Sequence, residues 1–129
     1  MDGLNPGVTG ESKVMVSEKN TAVAHGSGGV DVFATPAMIG LMENAALNSV
    51  QSLLAEGLTT VGTKVDVKHL VATPTGMEVI AKSELVEVDG KRLVFKVEAF
   101  DAKDKIGEGL HERFVVDLTK FMEKTNNKG

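Results

Sequence analysis

Val14 and Val16 alternate with polar neighbours in Lys13-Val14-Met15-Val16-Ser17, which predicts a short first strand. The stretch His25-Gly26-Ser27-Gly28-Gly29 that follows is too glycine-rich for regular structure and predicts a loop. Thr35-Pro36 then opens an apolar segment running to about Ala55, with Thr35 as an N-cap, Pro36 in the first turn and Gly57 as the C-terminal stop. Ala37-Met38-Ile39-Gly40-Leu41-Met42 is apolar on every side, so this helix is expected to be buried, with Asn44, Asn48, Gln51 and Ser52 as its wet face. Beyond it the period changes to two. Thr59 to Ala72 predicts a strand with Val61, Thr63, Val65, Val67, His69 and Val71 on one face and Gly62, Lys64, Asp66 and Lys68 on the other. Thr73-Pro74-Thr75-Gly76 is a turn, Met77 to Val88 a strand, Asp89-Gly90 a hairpin, Leu93 to Ala99 a strand, and Ile106 to Leu118 a last strand. Glu123 to Gly129 is polar and expected to fray.

This order of elements predicts an α+β fold in which one antiparallel sheet of five strands wraps one long central helix, β-α-β-β-β-β, as in the hotdog fold. The 129 residues suit a single domain spanning 1–129, with its core at about 8–121 and residues 122–129 as a tail. A free sheet edge and a half-wet helix point to a homodimer.

Composition narrows the chemistry. The net charge of -4 lacks the basic footprint of a nucleic-acid binder. The absence of cysteine removes thiolate metal sites, disulfides and a cysteine nucleophile. Three scattered histidines lack metal-ligand spacing, so no metal is expected. No apolar run is long enough to span a membrane, and the N-terminal segment from Met1 to Gly7 has no leader pattern; a cytoplasmic protein is the expectation.

Four polar residues interrupt apolar patterns. Glu43 lies on a helical stripe with Ile39, Leu47, Val50 and Leu54, where a carboxylate is costly unless paired, although a rotated helix would turn it to water. His69 shares its strand face with valines; by itself it reads as a core histidine, but opposite Glu43 it makes an acid–base pair. Thr35 is either only a cap or a group placed at the positive end of the helix dipole. Arg113 shares a face with His111, either solvated or bound to an anion. Gly62 inside a strand signals a bulge or a close backbone approach.

Val32-Phe33-Ala34-Thr35, Met38-Ile39-Gly40-Leu41-Met42-Glu43, Val67-Lys68-His69 with Ala72-Thr73-Pro74-Thr75-Gly76, and Gly107-Glu108-Gly109-Leu110-His111-Glu112-Arg113 together resemble the fluoroacetyl-CoA thioesterase-like branch of the hotdog thioesterases. The resemblance runs from Val32 to Phe121. It implies a homodimeric enzyme that hydrolyses a short-chain acyl-CoA without metal or organic cofactor. By the same resemblance Thr35, Glu43 and His69 are the catalytic set, and Gly62, Phe33 and Arg113 contact or support the substrate. The lid departs from that family: Gly26-Ser27-Gly28-Gly29-Val30-Asp31 carries no aromatic ring, which implies a looser lid and leaves thioester hydrolysis, rather than fluoroacetyl selectivity, as the expectation. A non-catalytic acyl-CoA-binding module and a hydratase or dehydratase on the same fold are the alternatives.

Overall fold

The computed structural model describes residues 3–129; Met1 and Asp2, which belong to the segment read as lacking a leader pattern, lie outside the described residues. Elements run β1 (Thr9–Met15), α1 (Thr35–Gln51), β2 (Leu58–His69), β3 (Glu78–Asp89), β4 (Arg92–Phe100), β5 (Lys105–Asp117) and α2 (Leu118–Asn126). The strands form one antiparallel sheet in the order β1-β3-β4-β5-β2, so β1 and β2 are its edges. The expected β-α-β-β-β-β order is present, with α2 added after the last strand.

The core lies between α1 and the sheet. Met38, Met42, Ala45, Ala46 and Val50 point down from the helix. They meet Val79, Ala81 and Leu85 of β3, Leu93, Phe95, Val97 and Ala99 of β4, and Ile106 and Val115 of β5. Val79, Ala81 and Leu85 on β3, and Leu93, Phe95, Val97 and Ala99 on β4, are spaced by multiples of two as one buried face of a strand requires, although β3 slips register between Leu85 and Glu87. The helix is buried on one side only. Pro36 and Gly40 are exposed, and Ile39, Glu43 and Leu47 are half-buried along its flank. The expected wet face is exposed at Asn44, Asn48, Gln51 and Ser52, whereas the apolar turn from Ala37 to Met42, expected to be buried, is only partly covered by a single chain.

Three other expectations change. Strand β1 starts four residues earlier than Lys13, because Thr9 to Met15 pairs with β3 from Glu84 to Glu78. The C-terminal segment expected to fray is largely helical: Asp117 caps α2 by accepting a hydrogen bond from the Lys120 amide at 3.0 Å. On β2, the ladder with β5 slips between Gly62 and Lys64, so Thr63 is an extra residue. Gly62 stands opposite Arg113, and Val65, Val67 and His69 stand opposite His111, Gly109 and Gly107. Gly62 thus joins Val65, Val67 and His69 on the helix-facing side, while Val61, opposite Phe114, goes to the other. Among the described residues no helix is long and apolar enough to cross a membrane.

Helix α1 lies closely on β1 at Gly10. A Cβ there would run into the Ala45 carbonyl oxygen and sit 2.6 Å from Ser49 Cβ. Since the obstacle includes backbone, Gly10→Ala is expected to cost about 1–3 kcal/mol by overpacking, read from urea denaturation. An unchanged midpoint would show that β1 and α1 move apart freely.

Candidate active site

The entry to α1 is tied down by backbone bonds. The Ala34 amide donates to Asn20 O at 2.8 Å and the Phe33 amide to Thr73 O at 2.9 Å. Thr73 is itself buried and donates from Oγ1 to Asp101 at 2.9 Å. Ala34, not Thr35, occupies the N-cap, and no side chain caps the helix. Freed from capping, the Thr35 hydroxyl lies 2.7 Å from His69 Nδ1 at the end of β2. Burial lowers the His69 pKa below the ordinary 6.5, partly offset by the Val71 backbone, so the ring is neutral at pH 7. Its Nε2 is buried and has no hydrogen-bond partner. A cavity of about 310 Å³ lies over this pair, lined by Phe33, Val30, Val32, Gly28, Leu70 and Val71 among others. Phe33, 1% exposed, is part of its wall and of the core. A larger cavity of about 540 Å³ lies on the solvent face of the sheet among Lys82, Glu84, Lys96 and Glu98, away from this chemistry.

Glu43 occupies a second locus, two helical turns on. Its carboxylate rests on Gly62: a Cβ at that position would sit 2.7 Å from Glu43 Oε2, 3.3 Å from His111 Cε1 and 3.4 Å from Arg113 Nη1. The close approach anticipated for Gly62 is this contact, and the bulge that accompanies it turns the glycine toward the helix. Arg113 Nη1 lies 3.9 Å from Glu43 Oε2. Of the two expectations for Arg113, solvation gives way: it is 6% exposed, has the Glu43 carboxylate as its anion, and donates from Nε to Thr60 Oγ1 at 2.8 Å and from Nη2 to Thr60 O at 2.9 Å. Burial pushes its pKa down and Glu43 counters the shift. Behind it lies His111, which sequence reasoning noted only as a neighbour of Arg113; its signal was its place two residues before Arg113 on the same strand face.

Glu43 and His69 share the concave side of the sheet, yet one chain does not bring them together. Gly62, under Glu43, and His69 are seven positions apart on β2, or about 20 Å of strand. Met38 lies over Gly107, the partner of His69, whereas Glu43 lies over Gly62. The structure therefore holds a Thr35–His69 pair and a Glu43–Gly62–Arg113–His111 cluster at separate points along α1. Among the described residues, no group of three histidine or carboxylate side chains is arranged to hold a metal ion.

Comparison with known proteins adds an independent line. Residues 16–119 match the family described as fluoroacetyl-CoA-specific thioesterase. A fluoroacetyl-CoA thioesterase of Streptantibioticus cattleyicolor is 44% identical over 98 residues, 76% of this chain and 70% of that protein. A solved fluoroacetyl-CoA thioesterase superposes with a TM-score of 0.93 at 36% identity, covering 99% of both chains. A variant of that enzyme in complex with acetyl-CoA superposes at 0.91 and 35% identity, over 96% of this chain and 98% of the other.

Two outcomes follow from the geometry. Gly62→Ala is expected to displace the Glu43 carboxylate and lower turnover while leaving the urea midpoint nearly in place; unchanged turnover would show the contact to be idle. His69 and His111 both have folded pKa values below 6.5. As pH falls through 6.5 the unfolded chain takes up protons first, so stability is full above that value and declines below it. Urea midpoints should be lower at pH 5.5 than at pH 7.5, and equal midpoints would contradict the burial of both rings.

Proposed function

The chain belongs to the fluoroacetyl-CoA-specific thioesterase family and is an acyl-CoA thioester hydrolase, and on that premise we propose that it cleaves short-chain acyl-CoA as a homodimer with Thr35, Glu43 and His69 as its catalytic groups. The observation that carries this reading is the division of those groups between two loci in one chain. Strand β2 is a long edge strand with an unpaired side, a feature that invites pairing with another strand. An antiparallel β2–β2 pairing about a two-fold axis between Val65 and Asp66 sets Gly62 of one chain opposite the partner's His69. Glu43 then meets the partner's Thr35–His69 pair around one substrate. The same contact covers Ile39 and Leu47, which one chain leaves half-buried, and Val65, 40% exposed.

In the chemistry proposed, the thioester carbonyl lies by the bare Gly62 backbone. Glu43 delivers the attack on the carbonyl carbon, as base toward a water or as the nucleophile itself. The carbon–sulfur bond breaks, and the proton taken from water reaches the departing CoA thiolate through His69, whose ring is neutral at the start and at the end. Where Glu43 itself attacks, that water is the one that then hydrolyses the Glu43 anhydride to the free acid. Thr35 orients the imidazole through its hydroxyl. Arg113 keeps the Glu43 carboxylate aimed. The reaction asks for no metal or organic cofactor, and its substrate, a CoA thioester, points to action in the cytoplasm.

Glu43→Gln and His69→Ala are each expected to lower thiol release from acetyl-CoA by about 10²–10⁴-fold. Mixing the two inactive proteins with subunit exchange should restore about a quarter of wild-type activity, because half the dimers become hybrids with one intact site. A mixture as inactive as its components, with both proteins folded and dimeric, would place the complete site within one chain and overturn the shared arrangement.

A further inference from the structure

His111 is 1% exposed, yet both of its ring nitrogens are engaged. Nδ1 lies 2.8 Å from the Lys64 carbonyl oxygen. A carbonyl only accepts, so Nδ1 carries the proton. In the neutral ring Nε2 is then an acceptor, and Arg113 Nη1 donates to it at 3.2 Å. The same Nη1 is the one that faces Glu43 Oε2. The carbonyl that anchors the ring belongs to the residue after the bulge that turns Gly62 inward. One imidazole therefore ties the bulge, the guanidinium and the carboxylate into a single unit.

We propose that His111 is a positioning residue of the thioesterase, holding Arg113 and the β2 bulge so that Glu43 is aimed over Gly62. The proposal rests on Glu43 being the attacking group. Thr60 fixes the guanidinium at Nε and Nη2, which leaves Nη1 as the edge that His111 alone orients from behind. The other groups facing the ring are the Phe95 ring of β4, 6.3 Å away between centroids, Glu43 of α1, Arg113 and Glu112 of β5, and the Lys64 backbone of β2. Burial is the main cause that keeps His111 neutral, and Arg113 adds to it. Protonation would set an N–H on Nε2 against the Arg113 N–H, breaking the unit.

The two amide variants separate the ring's two jobs. His111→Asn keeps a donor near Nδ1 and loses the acceptor for Arg113; His111→Gln keeps an acceptor near Nε2. With acetyl-CoA as substrate, His111→Asn is expected to lower kcat by about 10–100-fold with KM changed less than about threefold, and His111→Gln to recover most of the loss. The acid limb of kcat should move to lower pH in His111→Gln, since one titrating group has gone. Equal losses in both variants, in step with their Tm, would reduce His111 to a packing residue and overturn the proposal, as would wild-type kcat in His111→Asn. Should the wild type release no thiol from any short acyl-CoA, the hydrolase reading falls by itself. The Arg113 15Nε–H resonance then still decides the positioning: slow exchange in wild type and His111→Gln but fast exchange in His111→Asn supports it, and equal exchange in all three refutes it.

Discussion

A carboxylate half-buried on the flank of an apolar helix needs a counter-charge, and the contact between Glu43 and Arg113 provides it from beneath. That contact sets demands on two strands. The residue between the helix and the guanidinium has to be glycine, which is Gly62. Strand β2 has to bulge so that this glycine faces inward. Strand β5 has to present a buried arginine whose remaining N–H groups are satisfied, which Thr60 and His111 do. A buried arginine without those acceptors would cost far more than its attraction to Glu43 returns.

The other locus follows a different logic. Ala34 takes the cap position, bonded to Asn20, so the hydroxyl of Thr35 is free to engage His69. The glycine-rich lid then closes the wall of a modest cavity above that pair. Both loci are built on regular elements of one sheet and one helix, which holds their groups more tightly than loops would. In the dimer proposed above, the division between them gives the free edge of β2 a use: a strand edge that is otherwise a liability would be the means by which two chains share a site.

Much of this was legible in the residues. The 3.6 period put Glu43 with Ile39 and Leu47, and all three do share the half-buried flank. The period of two put His69 with Val65 and Val67, and the three do share the helix-facing side of β2. Gly62 was marked as a bulge or a close approach, and it is both. The bulge itself was not locatable, because an extra residue leaves no mark on a pattern counted in single steps; Val61 and Thr63 were therefore assigned to the wrong side. Thr35 was read as a cap because caps depend on neighbours in sequence, whereas its hydroxyl partner is 34 residues away. The tail reads as frayed because Glu123 to Gly129 has no apolar residue, the apolar Leu118, Phe121 and Met122 of α2 all lying before it.

The order of elements, the central helix and the choice of a carboxylate, an imidazole and a hydroxyl as the unusual groups were all set by local chemistry: periodicity, turn residues and polarity out of place. Which of those groups meet was settled by the crossing of α1 over the sheet and by the register of β2 on β5. A local pattern gives each residue a face but not a position along that face. Some seven residues of strand separate the imidazole from the glycine under the carboxylate, a distance that only the assembled sheet can express.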